Sequence, residues 1–156
     1  MLLAETVMIK APLEPVYEAF ADLERWKDIL PDVLDVQVLY FDGYNQEFTM
    51  TVERPAGPET VRGIRYCRPY RELELFQPVP PPGLKAMRGT WVFYQDEPEL
   101  TRVVASRSFI LLPDDSRGAT QRAEREEQFA EKLRGFLSTN LRLFKQELER
   151  NVPHRV

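Results

Sequence analysis

The sequence has 156 residues, of which 43% are hydrophobic and 29% are charged, as expected for one globular domain with its own core. Its formal net charge of −4 provides no basic surface for nucleic acid or anionic lipid headgroups. The single cysteine, Cys67, excludes an internal disulfide and a cysteine-rich metal site, and it favours a cytoplasmic setting. The single histidine, His154, lies close to the end of the sequence, so histidine-based catalysis and histidine metal clusters are disfavoured.

The opening segment predicts a strand followed by two short helices. Residues 3–10 alternate between apolar and polar side chains, and they lack the basic and apolar segments of a secretory signal, so we expect them to be part of the mature fold. Apolar residues then recur at helical spacing, at Val16, Phe20 and Leu23. A second short helix is expected from about Glu24 and ends before Pro31, because the residue before a proline avoids the helical conformation.

Six further segments are typical of strands, and turn residues separate them. They cover residues 33–41, 47–53, 60–69, 71–77, 86–95 and 101–112. The proline-rich stretch 79–83 between two of them predicts a stiff loop, because proline has no backbone donor for a sheet. No apolar run approaches the roughly 18 residues of a membrane span.

A long amphipathic helix is predicted from about Ala119 to about Asn151. Its apolar residues form one stripe at spacings of three and four: Phe129, Leu133, Phe136, Leu137, Leu141, Phe144 and Leu148. The order of elements predicts a single α+β domain over residues 1–156, with a seven-stranded antiparallel sheet that curls around this helix. Such an arrangement can leave a cavity between the sheet and the helix.

The strand "GIRYCRP" carries one arginine on each face. Alternation groups Ile64, Tyr66 and Arg68 on one face and turns Arg65 to the other, which we interpret as the solvent side. Two interpretations of Arg68 are open. It ends the strand as a cation that extends to solvent, or it stands beside the Tyr66 hydroxyl in a pocket, where the pair would hold a carbonyl, carboxylate or enolate oxygen.

Two tryptophans and one asparagine are further candidates. Trp91 alternates in register with Met87 and Phe93, so it is expected to point inward. Packing in the core is the ordinary role of Trp91 and of Trp26, whereas next to a cavity both become flat walls for a planar ligand. Asn140 interrupts the apolar stripe of the last helix, and it either touches solvent at the edge of the helix or faces a wet or ligand-filled cavity.

Other familiar catalytic patterns are missing from the sequence. Ser106 and Ser108 have no histidine partner for a hydrolytic triad. Glu72 and Glu74 alternate with leucines and are expected to face water. There is no glycine-rich phosphate loop and no dinucleotide-binding fingerprint.

With this order of elements established, the segment "IKAPLEPVYEAFADLERWKDILPDVLDVQVL" resembles the start of the polyketide cyclase/dehydrase family. The shared features are an apolar-x-Ala-Pro start, a helix, and then a tryptophan and a proline before the next strand. The resemblance implies the helix-grip fold of the START-like superfamily. Lipid and ubiquinone carriers of that superfamily begin in a similar way.

Three later motifs resemble the single-domain aromatase/cyclases of bacterial aromatic polyketide synthesis. "GIRYCRP" is similar to their strand that ends in a histidine–arginine pair, with Cys67 at the histidine position and Arg68 at the arginine position. "RGTWVFYQ" is similar to their tryptophan strand, through Trp91. "STNLRLFKQELE" is similar to their terminal helix, through Asn140 and Lys145. The resemblance implies a cavity for a poly-β-ketone chain that an acyl carrier protein delivers.

The resemblance implies that Arg68 polarises a carbonyl oxygen and that Trp26, Trp91 and Asn140 orient the chain, without a metal or redox cofactor. The family carries a pocket tyrosine a few residues after the tryptophan that corresponds to Trp26. Residues 27–33 contain no tyrosine, and we infer Tyr66 as the substitute proton donor. The remaining expected contacts with the substrate come from Ile64, Met87, Phe93 and Phe136.

A carrier of a lipid, quinone or other hydrophobic small molecule is the alternative function, and it needs only anchoring by Arg68 and Asn140. A stress-response relative without a defined ligand is also compatible with the fold, but no residue points to it. Either a monomer or a homodimer is compatible with the sequence.

Overall fold

The computed structural model describes residues 1–113 and 118–150. Seven strands form one antiparallel sheet: β1 (Leu2–Ile9), β2 (Val33–Phe41), β3 (Asn45–Arg54), β4 (Gly57–Arg68), β5 (Glu72–Phe76), β6 (Leu84–Glu97) and β7 (Leu100–Leu111). The helices of the described residues are α1 (Leu13–Ala21), α2 (Trp26–Ile29) and α3 (Ala119–Arg150), and a 3₁₀ turn (Leu23–Arg25) precedes α2. The predicted α+β architecture is confirmed, whereas His154 lies outside the described residues.

The sheet has the order β1-β7-β6-β5-β4-β3-β2, so each strand from β2 onward pairs with its neighbour in the chain. The first hairpin shows how a local sequence makes such a turn. The carboxylate of Asp42 accepts hydrogen bonds from the backbone N–H groups of Tyr44 and Asn45, and Gly43 adopts a φ of +96°. Among the described strands, β1 alone pairs out of chain order: it lies beside β7 and forms the edge of the sheet opposite β2.

Helix α3 lies across the concave face of the sheet and supplies much of the core. Its buried residues are Ala130, Leu137, Leu141, Phe144 and Leu148. The ring of Phe144 stacks on Phe20 of α1, with 4.0 Å between the ring centroids. Each large apolar side chain buried in this way stabilises the fold by about 1.5–3 kcal/mol. No helix of the described ranges is long and apolar enough to cross a membrane.

The orientation expected for β4 is wrong. Arg65 is 0% exposed on the concave face, between the buried Gly63 and Cys67, whereas Tyr66 is 41% exposed on the convex face. The reason is the space between the curled sheet and the helix. Gly63 lies opposite Phe48 on β3, and a Cβ atom at position 63 would overlap the Phe48 ring. The concave side of β4 therefore has no room for a side chain at position 63, and the bulky apolar residues Ile64 and Tyr66 face outward.

The burial of Cys67 provides a test of this orientation. The thiol is 1% exposed, and its removal from water raises its pKa. We expect Ellman's reagent at pH 8 to label the native protein roughly 100-fold more slowly than the denatured chain, because the reaction needs an accessible thiolate. Absorbance at full reaction would correspond to one thiol per chain, since the sequence has one cysteine. Equally fast labelling in both states would contradict the assigned face of β4.

Candidate functional site

A cavity of about 410 Å³ lies between the concave face of the sheet and α3. Most of its wall is apolar and includes Phe20, Trp26, Met87, Trp91, Phe136 and Phe144. Its polar lining includes Arg65, Gln77, Arg107 and Asn140. Exposed residues of the wall, among them Asp32 and Lys132, lie where the cavity meets solvent. The site is thus an apolar chamber with a small number of polar groups, as is usual for small-molecule sites.

The structure brings together five of the residues singled out from the sequence. Trp26, Met87, Trp91, Phe136 and Asn140 all line the cavity. The two tryptophans contact each other edge to face, with 5.8 Å between their ring centroids. They come from different parts of the fold, α2 and β6, and both are buried.

Two other predicted contacts are not in the cavity wall. Phe93 is buried, but its ring packs edge-on against Tyr17 and Phe20 of α1. The Phe93 side chain points to the inner face of the sheet as expected, but α1 covers this part of the sheet. Ile64 lies on the convex face together with Tyr66.

Arg68 does not point into the cavity, so the position in a pocket predicted for it and for Tyr66 is wrong. Its side chain is 44% exposed, and Nη1 donates to Glu72 at 3.2 Å and also to Glu74. The physical reason is the pairing of β4 with β5, which sets Arg68 opposite Glu72 on the convex face. The Tyr66 ring lies beside the same guanidinium, 4.8 Å from its carbon, and is equally remote from the chamber.

Arg65 is the β4 arginine that lines the cavity, and the end of α1 holds it in place. Its Nη2 donates to the backbone carbonyl of Ala21 at 2.9 Å, and its Nε donates to Oε1 of Gln46 at 2.8 Å. Gln46 in turn donates from Nε2 to the same Ala21 carbonyl at 2.8 Å. The C-terminal end of a helix carries partial negative charge, which favours a cation there. Nη1 of Arg65 is buried and has no partner within residues 1–113 and 118–150.

The same helix end orients the aromatic walls around Arg65. The indole N–H of Trp26 donates to the carbonyl of Phe20 at 3.1 Å. The guanidinium carbon of Arg65 then lies 5.3 Å from the ring centroid of Trp26 and 5.5 Å from that of Trp91. Cation–π attraction of this kind strengthens when the cation is removed from water.

Arg107 is a second buried arginine of the cavity, and the sequence interpretation missed it. It is 7% exposed, its Nη1 donates to the carbonyl of Ser106 at 2.7 Å, and its guanidinium carbon lies 4.5 Å from the Trp91 ring centroid. It pairs across the sheet with Gly89, where a Cβ atom would overlap the guanidinium group. A signal for it was present, because position 107 alternates with Val103, Ala105, Phe109 and Leu111, all of which are buried.

Both cavity arginines remain charged at neutral pH. Burial lowers the pKa of Arg65 and of Arg107 to about 10, and the charge of Arg65 contributes to the change at Arg107. Within the described part of the chain, neither forms an ion pair with a carboxylate. The chamber therefore holds two cations whose charge the cavity wall does not neutralise.

The polar groups Gln77 and Asn140 complete the lining. Oε1 of Gln77 is buried and has no hydrogen-bond partner among the described residues. Asn140 is half-buried on α3. Gln77 follows the end of β5, but it continues the alternation of Leu73 and Leu75, so the predicted strand over residues 71–77 already indicated its inward direction.

Cys67 and Lys145, which belong to the motifs that resemble the family, do not line the cavity and make structural contacts. Cys67 is buried beside Tyr17, whose pKa is raised by burial, and neither lines the cavity. Nζ of Lys145 donates to the carbonyl of Met8 at 2.7 Å and to Glu149 at 2.5 Å, which ties α3 to β1.

Known proteins resemble this chain in sequence and in fold. The granaticin polyketide synthase bifunctional cyclase/dehydratase of Streptomyces violaceoruber is 28% identical over 111 residues, which are 70% of this chain and 34% of that protein. This chain thus covers about a third of the length of that relative.

The Zhui aromatase/cyclase from Streptomyces sp. R1128 has a TM-score of 0.83 at 21% identity, over 99% of this chain and 96% of that one. A START superfamily protein from Mycobacterium smegmatis has a TM-score of 0.62 at 14% identity, over 88% and 97% of the two chains. These likenesses confirm the predicted helix-grip, START-like fold.

The family assignment comes from a wider match along the sequence. Residues 9–131 match the family model described as "Polyketide cyclase / dehydrase and lipid transport". This range includes most of the chain, from the end of β1 into α3, and it contains Arg65, Trp91 and Arg107. The chain therefore belongs to the polyketide cyclase/dehydrase and lipid transport family.

Proposed function

We propose that the protein binds a poly-β-ketone or related chain in this cavity and directs its aldol cyclisation and dehydration. The observation that carries the proposal is the position of Arg65, a charged group in the wall of a largely apolar chamber. Its Nη1 atom has no hydrogen-bond partner among the described residues. Membership of the family and the likeness to a cyclase/dehydratase support the same chemistry.

Arg65 would act by stabilising negative charge on oxygen. A methylene between two ketones loses a proton to solvent water and forms an enolate, whose carbon attacks a second carbonyl of the same chain; the solvent returns the proton in the next step. The new C–C bond leaves an alkoxide, which takes up a proton; loss of water then gives the unsaturated ring, and no oxidant is required. Because Arg65 stays protonated, it serves as a hydrogen-bond donor to the enolate or alkoxide oxygen and not as the proton source.

The cavity wall would select the fold of the chain. Trp26 and Trp91 offer flat surfaces to the planar enol and ring segments, and Asn140 offers an amide donor from the opposite side, on α3. A volume of about 410 Å³ requires a long chain to bend inside the chamber, which brings distant carbonyls together. An acyl carrier protein is the expected source of the chain.

A carrier of a lipid, quinone or similar molecule is the second candidate, because the family description includes lipid transport. The polar lining favours the cyclase, since a wholly hydrophobic cargo would leave Nη1 of Arg65 and Oε1 of Gln77 without partners. Mass spectrometry of material that co-purifies with the protein separates the two candidates. An acyl lipid would favour the carrier, and a polyketide-derived aromatic compound would favour the cyclase.

Replacement of Arg65 tests the chemistry. We expect Arg65→Gln to lower the formation of the native cyclised product from a carrier-bound poly-β-ketone by about 100-fold, as for the loss of one oxyanion donor. Liquid chromatography with mass spectrometry would measure the ratio of this product to those of spontaneous cyclisation. Arg68→Gln is the matched control, because it removes an exposed arginine from the same strand, and it should leave the ratio unchanged. An unchanged ratio in a folded Arg65→Gln protein would refute the role given to Arg65.

Filling the cavity from α3 tests the location of the reaction without disturbing Arg65. We expect Asn140→Trp to reduce conversion at least about tenfold, because the larger side chain occupies the space required by the substrate. The midpoint of thermal unfolding should fall little, since the indole enters existing space. Undiminished conversion by this variant would show that the chemistry does not occur in the chamber.

A further inference from the structure

The cavity wall contains two buried positive charges, and no carboxylate of the described residues pairs with them. Arg65 and Arg107 both line it, and both are buried. Of the carboxylates in the lining, Glu59 is paired with Arg54 at 3.3 Å, and Asp32 is exposed. An unbalanced buried charge is costly, and proteins usually pair it. Such an imbalance persists most readily where a ligand supplies the opposite charge.

The two guanidinium groups contact the same aromatic side chain. Their carbons lie 5.5 Å and 4.5 Å from the ring centroid of the same indole, that of Trp91. The charge of Arg65 is one cause of the lowered pKa of Arg107, so the two cations repel each other. The absence of a side chain at Gly89 gives Arg107 the space to lie there. An anion between the groups would relieve this repulsion.

Both arginines retain donors for such an anion. Arg65 uses Nε and Nη2 for Gln46 and Ala21 and leaves Nη1 free among the described residues. Arg107 makes one hydrogen bond within the described ranges, to the carbonyl of Ser106, out of the five N–H donors of a guanidinium group. Guanidinium groups favour planar, delocalised oxyanions, whose two oxygens match their geometry.

We propose that Arg65 and Arg107, which both contact Trp91, together form an anion site, and that the ligand binds as a planar carbon skeleton with a delocalised oxyanion. This inference rests on the proposed function for the location of the ligand and adds its charge state. The oxyanion is a carboxylate or the enolate of a 1,3-diketone, and the rings lie against Trp26 and Trp91. Arg107 becomes a substrate-binding residue, and neutral chains of the same shape are poor ligands.

The proposal can be tested by isothermal titration calorimetry with small probes, without any catalytic turnover. The probes are 2-naphthoate for the carboxylate, the enolate of 2-acetyl-1,3-indandione for the diketone, and methyl 2-naphthoate as the neutral shape control. We expect at least one anion to bind the wild-type protein about tenfold or more tightly than the ester. A carboxylate preference without an enolate preference, or the reverse, identifies which oxyanion the site accepts.

The variants Arg107→Gln and Arg68→Gln form the matched pair. Arg107→Gln should weaken binding of the preferred anion about tenfold and leave the ester unchanged, because it removes one of the two charges. Arg68→Gln removes an exposed charge and should leave both affinities as they are. Gly89→Ala should also weaken binding of the anion and leave binding of the ester unchanged, since a Cβ atom there displaces the Arg107 guanidinium without removing its charge.

Several results would overturn the inference. They are equal affinity of the ester and both anions, no binding of either anion, or an Arg107→Gln protein that binds the preferred anion like the wild type. Because these are binding measurements, they are independent of cyclisation. Retained anion preference in a protein that fails to cyclise a poly-β-ketone would reject the proposed function and leave the anion site intact.

Discussion

The hydrogen bond from Arg65 to the carbonyl of Ala21 is the contact on which the interior of the domain depends. Through it, the charge of Arg65 on β4 is joined to the last turn of α1. Gln46 on β3 hydrogen-bonds to both Arg65 and the Ala21 carbonyl. Without this acceptor the guanidinium group would be buried with no anion and few partners. The walls of the cavity follow from it, because Trp26 is fixed to the neighbouring carbonyl of Phe20 and lies beside the cation.

Curvature of the sheet explains which residues are admitted to the interior. On the concave side, neighbouring strands bring their side chains together, so positions 63 and 89 carry glycine beside the bulky Phe48 and Arg107. The convex side has no such limit, and it accepts large residues such as Tyr66 and a row of charges. The buried positions of Phe48 and Arg107 therefore each depend on a glycine on the neighbouring strand.

The elements of the fold could be predicted because their signals are local. Alternation, turn residues and the apolar stripe of the last helix each lie within one segment, and the strands and helices agree with them. The direction of Arg65 could not be obtained in this way, because its partners Gln46 and Ala21 lie 19 and 44 residues away. In β4 the large apolar residues Ile64 and Tyr66 lie on the exposed face, so side-chain volume and hydrophobicity do not indicate its buried face. Arg107 is recognisable from the sequence, because the apolar residues that alternate with it on β7 are buried.

The contact between Gly89 and Arg107 links the volumes of two positions on neighbouring strands. A side chain at position 89 and an arginine at position 107 compete for one space, so a change at either position alters what the other can hold. Among relatives, a larger residue at the first position should accompany a smaller or uncharged residue at the second. The pair would then set the charge of the chamber and its depth together, so that relatives could come to accept different ligands without any change to the framework around them.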